Sequence, residues 1–165
     1  MLKRESANGG LEALSVKIKS LEEINAKVGW LSSTRYKKEK HDSVELVTDV
    51  AKLNEEGDLS VNRPPRPFTR NAITKYKNKW LKIGGLESLK VLKGNIDYEQ
   101  ASETIGMIVA ADWRQSIVDF TTPPIKPATI QARLNRKIHK KKVGLLTKPL
   151  EDSGYMLATL THTTD

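Results

Sequence analysis

Residues 97–120, DYEQASETIGMIVAADWRQSIVDF, carry the clearest periodicity in this chain. Apolar residues recur there every three or four positions, which places them on one face of an α-helix. They are Tyr98, Ala101, Ile105, Val109, Trp113, Ile117 and Phe120. Thr121-Thr122-Pro123-Pro124 follows, and prolines end a helix because they lack the backbone donor. We therefore predict one long core helix.

Helical spacing also occurs in the first third of the chain. Residues 11–21 predict an amphipathic helix, although the alternation of Val16 and Ile18 also suits a short strand. Residues 26–31 are typical of a strand, and residues 32–42 of a polar, Lys-rich loop. A second helix begins at one of two possible N-caps, Asp42 or Thr48, and ends at Gly57.

Between residues 73 and 94 the sequence predicts two helices separated by glycines. Ile73, Tyr76 and Trp80 have helical spacing, and residues 86–92 suit a second, short helix before Gly94. Gly84-Gly85 is expected to break the helical run between them.

The last forty residues predict a helix and a strand. Residues 127–130 start a short helix that continues through Arg133 and Lys137, and residues 155–161 form a strand after the turn Asp152-Ser153-Gly154. The sequence therefore predicts an α+β fold, with a small antiparallel sheet packed against the long core helix, and with shorter helices and extended arms or loops. At 165 residues we expect a single domain, 1–165.

Two segments differ from the rest of this domain. A Pro-rich connection at about residues 59–69 must be extended and rigid, since three prolines fall within residues 62–68. A basic loop is expected at about residues 126–148.

The net charge of +8 is concentrated in two stretches without acids. Residues 126–150 contain eight basic residues, and residues 59–86 contain seven more. The remaining 28 − 15 = 13 basic residues face all 20 acids, a balance of −7. The chain is a mosaic of charge, which favours docking between proteins as much as binding to nucleic acid.

The sequence offers little for catalysis. It has no cysteine, which excludes disulfides, thiolate nucleophiles and zinc ribbons and fits a reducing compartment. No Gly-Lys phosphate loop, GxGxxG or GxSxG occurs. The histidines His41, His139 and His162 are isolated, and we interpret them as surface residues. We therefore expect neither an enzyme nor a cofactor or metal site.

Two small groups of residues leave alternatives open. Asp112 and Arg114 flank Trp113, either as a buried polar pair or, as we prefer, at the edge of the apolar face. Tyr76 and Trp80 lie among lysines, as in single-strand nucleic-acid binders, but their spacing favours the core of a helix. The longest apolar run, residues 105–111, is far too short to span a membrane.

Several short segments, taken in order, carry a resemblance to a known group. They are Lys27-Val28-Gly29-Trp30, then residues 50–57 (VAKLNEEG), 65–73 (PRPFTRNAI), 113–117 (WRQSI), 124–133 (PIKPATIQAR) and 148–157 (KPLEDSGYML). Their order resembles the small morphogenesis proteins of tailed bacteriophages, the neck, head-tail joining and tail-completion group. Each segment alone is weak, and only the shared order is persuasive.

The resemblance implies a structural protein of the virion without catalytic activity or cofactor. Such proteins assemble as homo-oligomeric rings at the neck or tail end, in the host cytoplasm, and enclose DNA without sequence-specific contact. The expected partners are other neck and tail proteins: portal, adaptor, stopper or tail tube. A tail terminator ring is the alternative within the class, and a small basic nucleic-acid-binding protein is the alternative outside it. No membrane is expected.

Interaction candidates follow from this resemblance together with the charge pattern. They are Arg63, Arg66, Phe68, Lys140, Lys141, Lys142, Leu150 and Met156. The Pro-rich arm and the basic loop are the segments with which a ring subunit would reach its neighbours.

Overall fold

Two long antiparallel helices form the centre of the fold in the computed structural model, which describes residues 7–36, 45–135 and 147–164. In chain order the described elements are α1 (Ala7–Glu22), β1 (Lys27–Gly29), α2 (Val47–Glu56), a 3-10 turn (Leu59–Val61), α3 (Phe68–Leu92), α4 (Tyr98–Val118), α5 (Pro127–Leu134), α6 (Tyr155–Thr159) and β2 (Thr161–Thr163). The predicted α+β class is confirmed.

The predicted core helix is α4, and its ends are defined by local chemistry. Asp97 caps its first turn, because the Asp97 carboxylate accepts a hydrogen bond from the Gln100 backbone N–H at 2.7 Å. The Gln100 side chain accepts in return from the Asp97 N–H, which completes a capping box. The helix ends at Val118, before the two prolines, as predicted.

The buried face of α4 differs from the predicted apolar stripe. Of the stripe, Ala101, Ile117 and Phe120 are buried, whereas Ile105, Val109 and Trp113 are half-buried and Tyr98 is exposed. The other buried positions are small or polar: Ser102, Gly106, Ala110, Asp112 and Ser116. Small side chains let the neighbouring elements approach the helix closely, so this face is selected by fit as much as by hydrophobicity.

The predicted break at Gly84-Gly85 is wrong, because α3 continues through both glycines to Leu92. A glycine within a helix is unfavourable by only about 1 kcal/mol relative to alanine, and the contact of α3 with α4 outweighs that penalty. The left-handed Gly94 (φ 74°) follows the end of α3, as the sequence indicated.

The sheet has two described strands, and it corrects the prediction for the C-terminal segment. β1 pairs with β2 in antiparallel register, with Val28 opposite His162. Residues 155–159 are instead the short helix α6, which follows the left-handed Gly154. The β-rich composition of residues 155–161 was thus overridden by tertiary packing, and only residues 161–163 form the strand.

The first two helices agree with the prediction in type. α1 is exposed along residues 10–19, and Ser20 and Leu21 near its C-terminal end are half-buried. α2 ends at Gly57 as predicted, but Thr48 lies inside the helix and Leu46 occupies the N-cap position. The other predicted cap, Asp42, and most of the polar loop 32–42 lie outside the described residues.

The hydrophobic core lies where the start of α3, the end of α4, α2 and α6 meet. Its buried members are Val47, Ala51, Phe68, Ile117, Phe120 and Met156. The half-buried Trp30 packs edge-on against Phe68 and Trp113, and its Nε1–H donates to the Met156 carbonyl at 2.7 Å. This cluster fixes the chain on both sides of the Pro-rich segment.

Candidate interaction site

The Pro-rich segment is folded back on the end of α2. Gly57 has a positive φ of 76°, and a β-carbon there would lie 2.6 Å from the Pro65 nitrogen. Both the backbone conformation and this close approach require glycine at the position. The Arg66 N–H donates to the Asn54 carbonyl at 2.7 Å. The segment is therefore a fixed part of the subunit, and it holds Arg66 between two prolines.

A tight turn precedes these prolines and positions Arg63. Asp58 and Arg63 exchange two backbone hydrogen bonds of 2.8 Å, and Asn62 between them is left-handed (φ 52°). The Asp58 carboxylate accepts from the Ser60 hydroxyl at 2.6 Å and from the Ser60 N–H at 3.0 Å. These bonds lower the pKa of Asp58, so the carboxylate stays ionised beside Arg63.

The two acid-free stretches of the sequence meet at this turn. Lys126, at the start of α5, donates to the Asn62 carbonyl at 2.8 Å. Arg133, on α5, donates to the Lys148 carbonyl at 2.9 Å, and its Nε lies 3.4 Å from the Asp152 carboxylate. We name Arg63, Arg66 and Arg133 the arginine cluster.

Arg66 is the member of the arginine cluster whose charge is least compensated. Burial lowers the pKa of its guanidinium, and the neighbouring charges of Arg63 and Arg133 lower it further. Its Nε–H is shielded from solvent and has no acceptor in the described part of the chain. Nor does Arg66 form an ion pair there. A buried donor without an acceptor is unfavourable. Arg66 as a whole is only half-buried, so an anion could neutralise its charge at the outer N–H groups of the guanidinium.

The remaining charges of residues 59–86 are largely compensated by acids from other elements. Arg70 pairs with Glu55 at 3.0 Å, Lys75 with Asp119 at 2.8 Å, and Lys79 with Asp112 at 2.7 Å. The stretch that has no acid in sequence therefore has several in space. The surface is less basic than the sequence indicates.

The same pairing changes the interpretation of the aromatic residues on α3. Tyr76 and Trp80 stack on each other at 6.2 Å, and Lys75 and Lys79 lie over the Tyr76 ring. Both rings are half-buried, which is the boundary of a core rather than its interior. Because their lysines are held by acids of α4 and its end, this pair is a poor platform for nucleic-acid bases.

Asp112 corrects the preference for an edge position. Its carboxylate is buried and accepts from the Trp80 Nε1–H at 2.9 Å as well as from Lys79. Arg114 does not pair with it, but donates to the Leu160 carbonyl and so ties α4 to the C-terminal segment. The buried polar alternative is therefore correct for Asp112, with partners on α3.

The predicted interaction candidates lie in three different places. Arg63 and Arg66 are half-buried in the arginine cluster. Phe68 and Met156 are 1% and 4% exposed and belong to the hydrophobic core. Leu150 packs against that core, so all three residues stabilise the subunit from within. Lys140, Lys141 and Lys142, with His41, His139 and Lys137, lie outside the described residues. Arg133 was not among the candidates, although it belongs to an acid-free stretch.

The described residues offer few features of any other kind of site. No three His, Asp or Glu side chains among residues 7–36, 45–135 and 147–164 are placed to hold a metal ion. No helix in this part of the chain is long and apolar enough to cross a membrane. The open surface depression near the start of α4 is lined by Glu99, Gln100, Glu103, Thr104 and Thr164.

Comparison with known proteins returned no match: neither a protein-family model, nor a curated protein, nor a solved structure matches this chain.

Proposed function

We propose that this protein is a non-enzymatic structural subunit of a tailed-phage virion, which forms a ring at the neck and joins or completes the tail at the head-tail interface. The proposal starts from the ordered segments that resemble the neck, head-tail joining and tail-completion group. A tail terminator ring remains the alternative within this class.

The segments that carry the resemblance contain residues on which the fold depends. Trp30 and Phe68 lie together around the core, Gly57 accommodates the Pro-rich segment, and Met156 is buried beside them. Proteins with the same fold are expected to share such segments in the same order when each segment contributes residues that the fold needs for packing or for a turn. The proposal therefore relies on residues that have a physical role here.

The observation that carries the proposal is the amount of apolar surface left exposed. Sixteen large apolar or aromatic side chains of the described residues are exposed, whereas seven of this kind are buried. Single exposed apolar residues are normal on a monomer, but contiguous ones mark contact surfaces. Such a surplus favours a subunit that completes its burial by assembly.

The exposed apolar residues are contiguous on α1. Leu11, Leu14 and Ile18 are 66%, 49% and 49% exposed and lie on one side of the helix, whereas Val16, 64% exposed, lies on the other side. The helix contacts α3 but leaves this stripe open. An amphipathic helix that projects its apolar stripe is suited to pack against a neighbouring subunit.

A charge placed on the α1 stripe tests the proposal. The variant Leu14→Glu/Ile18→Glu should remain folded, because both side chains are already exposed, but it should fail to form rings or to enter virions. Val16→Glu is the matched control, since it adds a charge to the same helix away from the stripe. Light scattering gives the mass of each purified protein, alone and after incubation with virion fractions. Wild-type protein that stays monomeric and never enters particles would contradict the proposal.

The basic triplet Lys140-Lys141-Lys142 provides a second test, although it lies outside the described residues. Changing all three to Glu should leave the subunit folded and impair particle assembly, because complementary charge orders docking. A normal phage titre with the triple variant would mean that this segment has no part in assembly.

The competing function, a small basic nucleic-acid-binding protein, makes a different prediction. If the protein contacts several phosphates, its affinity for duplex DNA should fall by orders of magnitude when the salt concentration is raised from 50 to 200 mM. If the basic residues serve protein contacts, DNA affinity should be negligible at both concentrations. The ion pairs of Arg70, Lys75 and Lys79 favour the second outcome.

A further inference from the structure

We infer that the arginine cluster receives a carboxylate side chain from a neighbouring copy of this chain, and that this contact joins the subunits head to tail. The inference rests on the proposed ring and names its contact. The receiving group is Arg66, supported by Arg63 and Arg133. The carboxylate is supplied by the acidic start of α4 in the next subunit.

The backbone of Arg66 is fixed before any partner arrives. Pro65 and Pro67 restrict the chain on either side, and the Arg66 N–H and C=O are bonded to the Asn54 carbonyl and the Phe68 N–H. A side chain on such a rigid support loses little conformational entropy on binding. The cluster is thus prepared for a partner.

The chemistry of Arg66 specifies an oxyanion. A carboxylate can accept from two N–H groups of a guanidinium together, a geometry that a lysine cannot reproduce. The shielded Nε–H lacks an acceptor in the described chain, whereas Arg133 already has Asp152. One more carboxylate would satisfy Arg66 and reduce the repulsion among three like charges.

The surroundings favour a single carboxylate over DNA. Asp58 lies close enough to Arg63 to interact with its charge, and Asp152 lies 3.4 Å from Arg133. A polyanion with one charge per roughly 1.7 Å would meet these carboxylates as well as the arginines. A single acidic side chain brings one charge only, so it meets less of this repulsion.

The chain has a complementary surface at its opposite end. Asp97, Glu99 and Glu103 lie on the first two turns of α4, and the charge of Glu23 from the end of α1 acts on Tyr98 in the same place. Glu103 is held by His162 Nε2 at 2.9 Å, whereas Glu99 accepts only a longer bond of 3.3 Å from the neighbouring Tyr98 hydroxyl, so Glu99 is the more available carboxylate. The 21 residues of α4 span about 30 Å. The acids lie at the N-terminal end of this helix, whereas its C-terminal end lies beside Phe68, to whose carbonyl Ser116 donates.

Donor and acceptor surfaces at opposite ends produce a heterologous contact. Such a contact repeats from copy to copy and closes into a ring when the rotation allows it. Two copies related by a two-fold axis could make the same contact twice and would then close as a dimer. The proposed ring requires the single form of the contact, which repeats from copy to copy.

A charge exchange tests the contact. Arg66→Glu should lower the fraction of assembled protein at least about tenfold, and Glu99→Arg should do the same, whereas the two changes combined should restore assembly. Arg66→Lys should assemble less than wild type but more than Arg66→Glu, because lysine keeps the positive charge but lacks the paired donors of a guanidinium. Lys82→Glu, an exposed change of the same sign on α3, is the control. Thermal unfolding followed by circular dichroism verifies that each variant is folded.

Cysteine cross-linking tests the geometry without touching the contact itself. The chain has no cysteine, so Val61→Cys, near the cluster, and Met107→Cys, one turn beyond Glu103, can be introduced singly. Cross-linked dimers should form when the two variants are mixed and not from either variant alone. Dimers from one variant alone would mean that like surfaces meet, and a double variant that cross-links only to dimers, without larger species, would show a two-fold contact; either result would overturn the inference.

The remaining outcomes separate this inference from the proposed function. If wild type and Arg66→Glu assemble equally, the contact is wrong and the ring survives. If Arg66→Glu assembles normally but loses salt-dependent binding to duplex DNA, the cluster binds phosphate instead. If wild-type protein neither associates in solution nor enters particles, both the ring and its contact are wrong.

Discussion

Lys79 Nζ lies 2.7 Å from the Asp112 carboxylate, and this ion pair joins the two long helices across a partly buried boundary. The Trp80 Nε1–H donates to the same carboxylate. One acid of α4 thus satisfies two consecutive donors of α3. This arrangement fixes the register of the helix pair, because a shift of one turn would leave Asp112 buried without partners.

We expect Asp112→Ala to lower the free energy of unfolding by about 2 kcal/mol, since it leaves the Trp80 N–H unpaired in a partly buried position. Lys79 is half exposed and can turn to water, which limits the loss. Urea denaturation measures the change. Asp119→Ala, which removes the exposed partner of Lys75, is the control and should lower it by less than about 1 kcal/mol. Equal losses would mean that burial of Asp112 is not important.

Gly84→Ala and Gly85→Ala should each stabilise the protein by up to about 1 kcal/mol, because both positions lie inside α3. A β-carbon at either site would have no atom within 4 Å outside the local helix backbone, so no clash offsets the gain. The midpoint of urea unfolding should therefore rise. A fall would indicate that the glycines permit a bend in α3.

Gly106→Ala should have the opposite effect. A β-carbon there would lie 2.5 Å from His162 Cδ2, so the strand β2 would have to move away from α4. Overpacking of this kind lowers stability by about 1–3 kcal/mol. The double variant Gly106→Ala/His162→Ala removes the clashing ring as well. Its loss should be smaller than the sum of the two single losses, and strict additivity would contradict the contact.

The acid limb of the stability curve should depend on Asp58 and Asp119. Hydrogen bonds from Ser60 lower the pKa of Asp58, and the Lys75 ammonium lowers that of Asp119. A carboxyl whose folded pKa lies below its unfolded value of about 3.9 stabilises the fold above that value, and this stabilisation is lost as the pH falls through the folded pKa.

Unfolding midpoints between pH 7 and pH 2 measure this effect. Asp58→Asn and Asp119→Asn should each be less stable than wild type at pH 7, and the difference should shrink towards pH 2. Curves parallel to that of wild type over the whole range would contradict the assignment. Both groups are exposed, so salt should reduce the effect at Asp119, where the partner is a charge.

Much of the secondary structure is predictable because it depends on local chemistry. The spacing of apolar residues identifies α1 and α4, Gly57 identifies the end of α2, and the prolines after Thr122 identify the end of α4. Two predictions fail for the same reason. The glycine pair in α3 and the β-rich residues 155–159 have weak local preferences, and packing against other elements overrides such preferences.

The candidate site was only partly visible in the sequence. Arg63 and Arg66 stand out beside prolines, and residues 126–150 stand out by their lack of acids. Arg133 joins them only because α5 folds against the turn at Asn62. Phe68 stands beside Arg66 in sequence and yet is buried, since the residue after Pro67 begins α3 on its inner side.

By itself the sequence determined which segments are helical, where the chain is stiff, and that the excess charge occupies two stretches. These properties depend on residues close together in the chain. Only the tertiary structure decided which charges remain uncompensated, because Glu55, Asp112 and Asp119 approach Arg70, Lys79 and Lys75 from distant positions. Charges act through space, so a basic stretch becomes a basic surface only where its charges are not paired, and Arg66 is one such residue among those that the structure describes.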